Sequence, residues 1–123
     1  MAAKVTVTTS GNLDNARPRL LNGLDRGLIL SGMLIAQDAS FRAPIDTGRL
    51  KRSITVGAPF SVQKGRAISV GSNVEYAKIQ EEGGRLPSGG FIRAQPYLKP
   101  ALEANKEKAS EIILKSIVGA LKA

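Results

Sequence analysis

Between the breaker Ser10-Gly11-Asn12 and Pro44 lies a run that suits a helix and not a strand. Asp14 or Asn15 can cap its start, and Pro18 falls within the first turn, where its missing N–H costs little. The run reaches about Phe41 and stops there, because Pro44 disfavours helical backbone at Ala43. At about 1.5 Å per residue such a helix is roughly 40 Å long. A chain of 123 residues is one domain by length, read here as 1–123, so this helix must wall one side of its core. Its faces change along its length. Leu13, Leu20, Leu24 and Leu28 form one apolar stripe, whereas from Leu28 to Ala36 apolar residues surround the axis. Either a sheet and a second helix cover both sides within the chain, or the second side meets another subunit. Leu30, Met33, Leu34 and Ile35 are the candidates for that subunit contact. Gly23, Gly27 and Gly32 weaken the helix by roughly 1 kcal/mol each relative to Ala, and their spacing permits close backbone approach.

The remaining segments are shorter. Val5 and Val7 alternate with Thr6 and Thr8, which predicts a strand with one apolar face. Asp46-Thr47-Gly48 is a turn, after which Leu50 to Val56 reads as a strand, with or without a helical turn first. Ala58-Pro59 breaks the pattern; Ala67 to Val70 is the next strand, with Gln63-Lys64-Gly65 as the tight turn between them. Val74 to Glu82 predicts one or two helical turns. Gly83 to Gly90 holds four glycines and a proline and predicts a mobile loop. Pro96 and Pro100 introduce a last helix from about Tyr97 to Leu121 with a broad apolar stripe. This order predicts an α+β fold: a small antiparallel sheet packed by a long N-terminal helix and a C-terminal helix.

The composition removes much chemistry. With no Cys and no His, thiol catalysis, disulfides, zinc-finger ligation and every Ser-His or Cys-His nucleophile pair are excluded. The 18 basic residues outnumber the 10 acidic ones, giving a net charge of +8 that favours association with polyanions. The excess is concentrated: Arg42, Arg49, Lys51, Arg52, Lys64 and Arg66 are offset between them only by Asp46. That strip is a solvated face or a surface turned to DNA or an acidic partner. Phe41, Phe60, Tyr76, Phe91 and Tyr97 are too few for a base-stacking platform. The longest apolar stretch, Leu28 to Ala36, is far short of the roughly 20 residues a membrane helix needs.

Asp46-Thr47-Gly48 matches the triplet of aspartic proteases, but Arg49, Lys51 and Arg52 beside it favour two ionised carboxylates over a shared proton. A backbone-bonding turn explains the triplet fully. The glycine loop lacks the Gly-Lys-Ser/Thr of a phosphate-binding loop. Glu75, Glu81 and Glu82 have the chemistry to ligate a hard cation, yet solvated carboxylates ending a short helix are far commoner. No catalytic, cofactor-binding or metal-ligating set is assigned.

Three segments in order carry a resemblance. Ala43-Pro44-Ile45-Asp46-Thr47-Gly48-Arg49-Leu50-Lys51-Arg52-Ser53-Ile54 resembles a signature with Pro44, Asp46, Thr47, Gly48, Leu50 and Ser53 at its fixed positions. Tyr76-Ala77, Glu81 and Gly83 resemble its second segment, and Ala94-Gln95-Pro96-Tyr97-Leu98-Lys99-Pro100-Ala101-Leu102 its third, with Gln95, Pro96, Tyr97 and Pro100 matching; Tyr97 stands where Phe is usual and Gly84 where Thr is. The family is the gene-product-ten-like group of small neck or minor tail proteins of long-tailed phages and prophages. The resemblance implies a non-enzymatic virion protein without a cofactor, in the neck or upper tail, made in the host cytoplasm. It implies a ring around the DNA channel, of six copies or alternatively twelve. Its neighbours would be head-completion or adaptor proteins and tail-terminator or tail-tube proteins. The basic strip would face a partner rather than the lumen, since a strongly basic lumen would retard DNA by counterion-release binding, although non-specific contact with genomic DNA stays open. The alternative is a basic nucleic-acid-binding module of a phage or bacterial regulator.

Overall fold

The computed structural model describes residues 2–8, 17–43, 48–74, 77–85 and 89–122. In chain order these form β1 (Ala2–Thr8), α1 (Arg17–Arg42), α2 (Arg49–Ser53), β2 (Thr55–Val56), β3 (Phe60–Val62), β4 (Gly65–Gly71), α3 (Ala77–Glu82), β5 (Gly84–Arg85), β6 (Phe91–Ile92) and α4 (Leu98–Lys122). The fold is α+β. One antiparallel sheet has β4 at its centre, flanked by β1 on one side and by β2 and β3 on the other. The helix capping residues expected at Asp14 and Asn15 lie outside the described residues, but α1 does carry Pro18 in its first turn.

The alternation in β1 sets the register. Val5 faces Ile68 and Ala3 faces Val70 across the ladder, so these apolar residues share one face of the sheet, while Lys4 and Thr6 point to the other and are exposed. Onto the apolar face pack α1 and α4. Leu24 and Leu28 of α1, Ile68 of β4 and Ile113 of α4 form one buried cluster, joined by Val5, Val7, Val56 and Ile117. Ile35, Ala39, Leu50, Val70, Ala77, Tyr97, Leu98 and Ala101 form the other.

The two long helices run antiparallel in close contact. An added Cβ at Gly23 would stand 2.8 Å from the Ala120 Cβ and from the Ser116 carbonyl oxygen, and one at Gly27 would stand 2.7 Å from the Ile113 Cα. The glycine spacing therefore does allow backbone approach, and both sites need it. Further along, the buried Ser31 hydroxyl donates to the Ala109 carbonyl at 3.2 Å. Asn105 Nδ2 bridges the Asp38 carboxylate and the Ala101 carbonyl, at 2.7 Å each.

Three details differ from the sequence expectation. The segment from Leu50 is helical through Ser53, and only Thr55–Val56 is strand. The strand that enters the hairpin is β3. Val56 faces Val70 and Phe60 faces Ala67, so three residues on one side, 57–59, span two on the other, 68–69. That extra residue is a bulge, and Pro59, which has no N–H for the ladder, sits in it. The tight turn expected at Gln63-Lys64-Gly65 is present, with Lys64 left-handed at φ 61° and Gly65 opening β4. Lastly, the glycine segment is not a plain loop. Gly84 faces Ile92 and Arg85 faces Phe91 in a short ribbon, and residues 86–88, like the mobility expected of them, lie outside the described residues.

Candidate functional site

Two motif segments distant in sequence meet at the start of α4. The first turn of any helix leaves four backbone N–H groups without intrahelical partners. Here the Tyr97 and Leu98 N–H groups donate to Glu81 Oε2 at 2.7 and 3.1 Å, and the Lys99 N–H donates to Oε1 at 2.9 Å. The next position is Pro100, which has no N–H. One carboxylate and one proline thus account for all four donors. Negative charge at this end also complements the helix dipole. Glu81 is 5 % exposed, so the earlier reading of it as a solvated carboxylate is corrected: it is a buried cap. No spacing rule pairs a Glu with donors 16 residues later, and the clue available was that both segments carry fixed residues.

The rest of the junction builds on that cap. Gln95 N–H donates to the Gln80 carbonyl at 2.8 Å, and the Gly83 N–H closes α3 on the Ile79 carbonyl with φ 75°, a value Gly adopts freely. Tyr97 is fully buried, and its hydroxyl reaches the Ala77 carbonyl at 3.4 Å. Desolvation, and secondarily the Glu81 charge, pushes its phenol up to about 12. The Gln95 and Pro96 side chains are exposed, and Pro100 is half-buried. Pro44, Asp46, Thr47 and Tyr76 lie outside the described residues. Gly48, at φ 71°, begins α2; Leu50 enters the core; the Ser53 hydroxyl donates to the Leu50 carbonyl at 2.7 Å and bonds Ser72.

The basic strip is not continuous, which corrects the sequence reading. Lys64 and Arg66 lie at the hairpin end of β4 and border a groove of about 300 Å³ with Arg17. Arg42, Arg49, Lys51 and Arg52 belong to the other end, around α2, roughly 20 Å away along the strand. Arg66 is engaged internally: its Nε and Nη2 meet the two Asp25 carboxylate oxygens at 2.9 Å each, tying β4 to α1. Hydrogen bonding to Asp25 raises its pKa further, partly offset by burial. Arg42 pairs with Asp38 at 3.0 Å, and the Lys51 ammonium lies 5.3 Å from the Phe41 ring centre. Arg49 and Arg52 line a shallow cleft with Ser53 and Asn73.

The candidate subunit contact also divides. Leu30 and Met33 are 45 % and 57 % exposed, and Leu34 is half-buried. Ile35 is removed from the set, because it is fully buried on the face shared with Leu28 and Ala39. Among the described residues, no group of His, Cys, Asp or Glu side chains could hold a metal ion. No helix of the described residues is long and apolar enough to cross a membrane.

A two-layer α+β protein with two motif segments locked together at a buried helix cap is the class these features define. Residues 28–83 match the family described as Bacteriophage HK97-gp10, putative tail-component. The matched stretch contains the Ala43–Ile54 and Tyr76–Gly83 segments that carried the resemblance, and also the capping Glu81; the Ala94–Leu102 segment lies beyond it. No curated protein and no solved structure matches the chain.

Proposed function

We propose that this chain is a structural protein of a tailed-phage particle that joins the filled head to the tail, or completes the tail's upper end, as a ring around the DNA channel. The observation that carries the reading is the match of residues 28–83 to a phage tail-component family. The exposed Leu30, Met33 and Phe41 of α1 support self-association, since apolar surface left bare on a small domain marks interfaces. Six copies is the proposed number, with twelve as the alternative, and the neighbours are the head-completion or adaptor ring and the tail-terminator or tail-tube ring. In this role the protein needs no catalytic group and no cofactor.

Deleting the gene from a phage or prophage that carries it tests the reading. The expected lysate holds filled heads and tails that remain unjoined under the electron microscope; normal infectious particles would overturn it. Light scattering on the purified chain adds a second discrimination. A closed oligomer supports the ring, whereas a monomer that binds duplex DNA tightly and loses it with salt supports a nucleic-acid-binding module instead.

A further inference from the structure

The four-stranded sheet has two outer edges, and only one of them is guarded. Native sheets blunt a long edge with proline, a bulge or an outward charge, because its unpaired N–H and C=O groups are a template for another strand. The edge made by β2 and β3 has two short strands, a bulge and Pro59. The edge made by β1 runs unbroken from Ala2 to Thr8, and among the described residues β1 pairs only with β4. Its one charged residue, Lys4, does not guard it: the ammonium lies 6.0 Å from the ring centre of Phe60 on β3, back across the sheet. Beside this edge, on the α4 side, Val5, Val7, Leu102, Ala109 and Ile113 line a groove of about 250 Å³. Apart from Lys4, the groove lining carries one charge of each sign, Glu103 and Lys106.

The ladder fixes which groups on the edge are free. The Gly57 N–H donates to the Ser69 carbonyl at 2.9 Å, so Ser69 turns its polar groups toward β2 and β3, while Ile68 and Val70 beside it turn theirs toward β1. Val5 and Ala3 stand opposite Ile68 and Val70 and so bond to β4. The backbone groups of Lys4 and Thr6 therefore point outward from the open edge.

We infer that β1 of a second copy occupies this edge, antiparallel and related by a two-fold axis at Val5. No other described strand with an open edge is longer than three residues. Outward groups bond only where the outward residues of the two copies stand opposite each other. Lys4 opposite Lys4 would set like charges together, whereas Lys4 opposite Thr6 avoids this and pairs all seven residues of each strand. In that register Ala3, Val5 and Val7 of both copies lie on the α4 side, so the apolar residues of each copy extend the groove floor of the other. The contact is its own complement and stops at a pair, so it is distinct from a ring contact. Two rings joined through it would hold twice the copies of one.

Substitutions at Thr6 test this on the full chain. The Thr6 side chain is exposed and its N–H points outward, so Thr6→Pro removes a donor that the fold does not use, and circular dichroism should show the variant folded. Light scattering should find the wild-type particle halved in mass. Thr6→Glu faces Lys4 of the second copy and should tighten the pair about tenfold, while Thr6→Lys should weaken it about tenfold. Wild-type mass in Thr6→Pro, or equal affinities for Thr6→Glu and Thr6→Lys, would overturn the contact and leave a ring through α1 intact. A wild-type dimer that Thr6→Pro turns into monomers would uphold the contact and overturn the ring. A wild-type chain that stays monomeric at high concentration would overturn both, and the edge would be left to a strand of another protein.

Discussion

Glu81 concentrates the largest expected effect on a single side chain. Its carboxylate is the acceptor for three backbone donors, two of them buried. In Glu81→Ala those donors lose their partner without gaining water, and the cost should be roughly 3 kcal/mol. Glu81→Gln keeps one acceptor oxygen and should lose about half as much. Urea denaturation of the three proteins checks the order; equal midpoints for all three would show that the cap adds nothing. Tyr97 makes a pH-dependent contribution. Its phenol titrates near 10 when unfolded and is pushed up to about 12 in the fold, so the folded state holds the proton more tightly. The stabilisation is therefore complete below pH 10 and is lost as the pH rises through 12. At pH 11 the loss should be about 1.4 kcal/mol, one pKa unit's worth. Tyr97→Phe removes this dependence while forfeiting the weak bond to Ala77 at every pH. The measurement is the difference in urea midpoint between pH 8 and pH 11, compared across the two proteins.

Among the elements, the contact of α1 with α4 decides how far helix propensity can be trusted. On propensity alone Gly27→Ala should stabilise α1 by about 1 kcal/mol. A Cβ there meets the Ile113 backbone at 2.7 Å, so one helix must move away from the other. We expect net destabilisation of about 1–3 kcal/mol, as for other overpacked sites, read from thermal melts. A rise in melting temperature would show that the helices separate at little cost. The two long helices were legible in the sequence because their apolar positions repeat over many turns and their ends carry Pro or Gly. The path from α2 to β3 was not. Leu50 and Ile54 suit a strand or a short helix equally, and the bulge at Ala58–Pro59 is fixed by the ladder to β4 rather than by local residues. The candidate site was half legible for a related reason. Its segments could be recognised separately, whereas the bond from Glu81 to the Tyr97 N–H is a tertiary fact with no period to betray it.

At the scale of the whole molecule, neighbouring positions on α1 have opposite consequences. Met33 is 57 % exposed, and Met33→Glu should change the stability of the single chain by no more than about 0.5 kcal/mol. Ile35, two residues on, is 0 % exposed and packed among Ala39, Leu50 and Val70. Ile35→Glu must bury a charge with no partner or open the core. The cost should be about 4 kcal/mol or more, comparable with the whole stability of a small domain. The two variants separate folding from assembly. In the proposed ring, Met33→Glu sets a charge among the bare apolar residues Leu30 and Phe41 of α1, so the chain should fold normally and fail to assemble. Ile35→Glu should fail to fold. Circular dichroism melts read the first property and light scattering the second. Should Met33→Glu assemble as the wild type does, the outward face of α1 is not where copies meet.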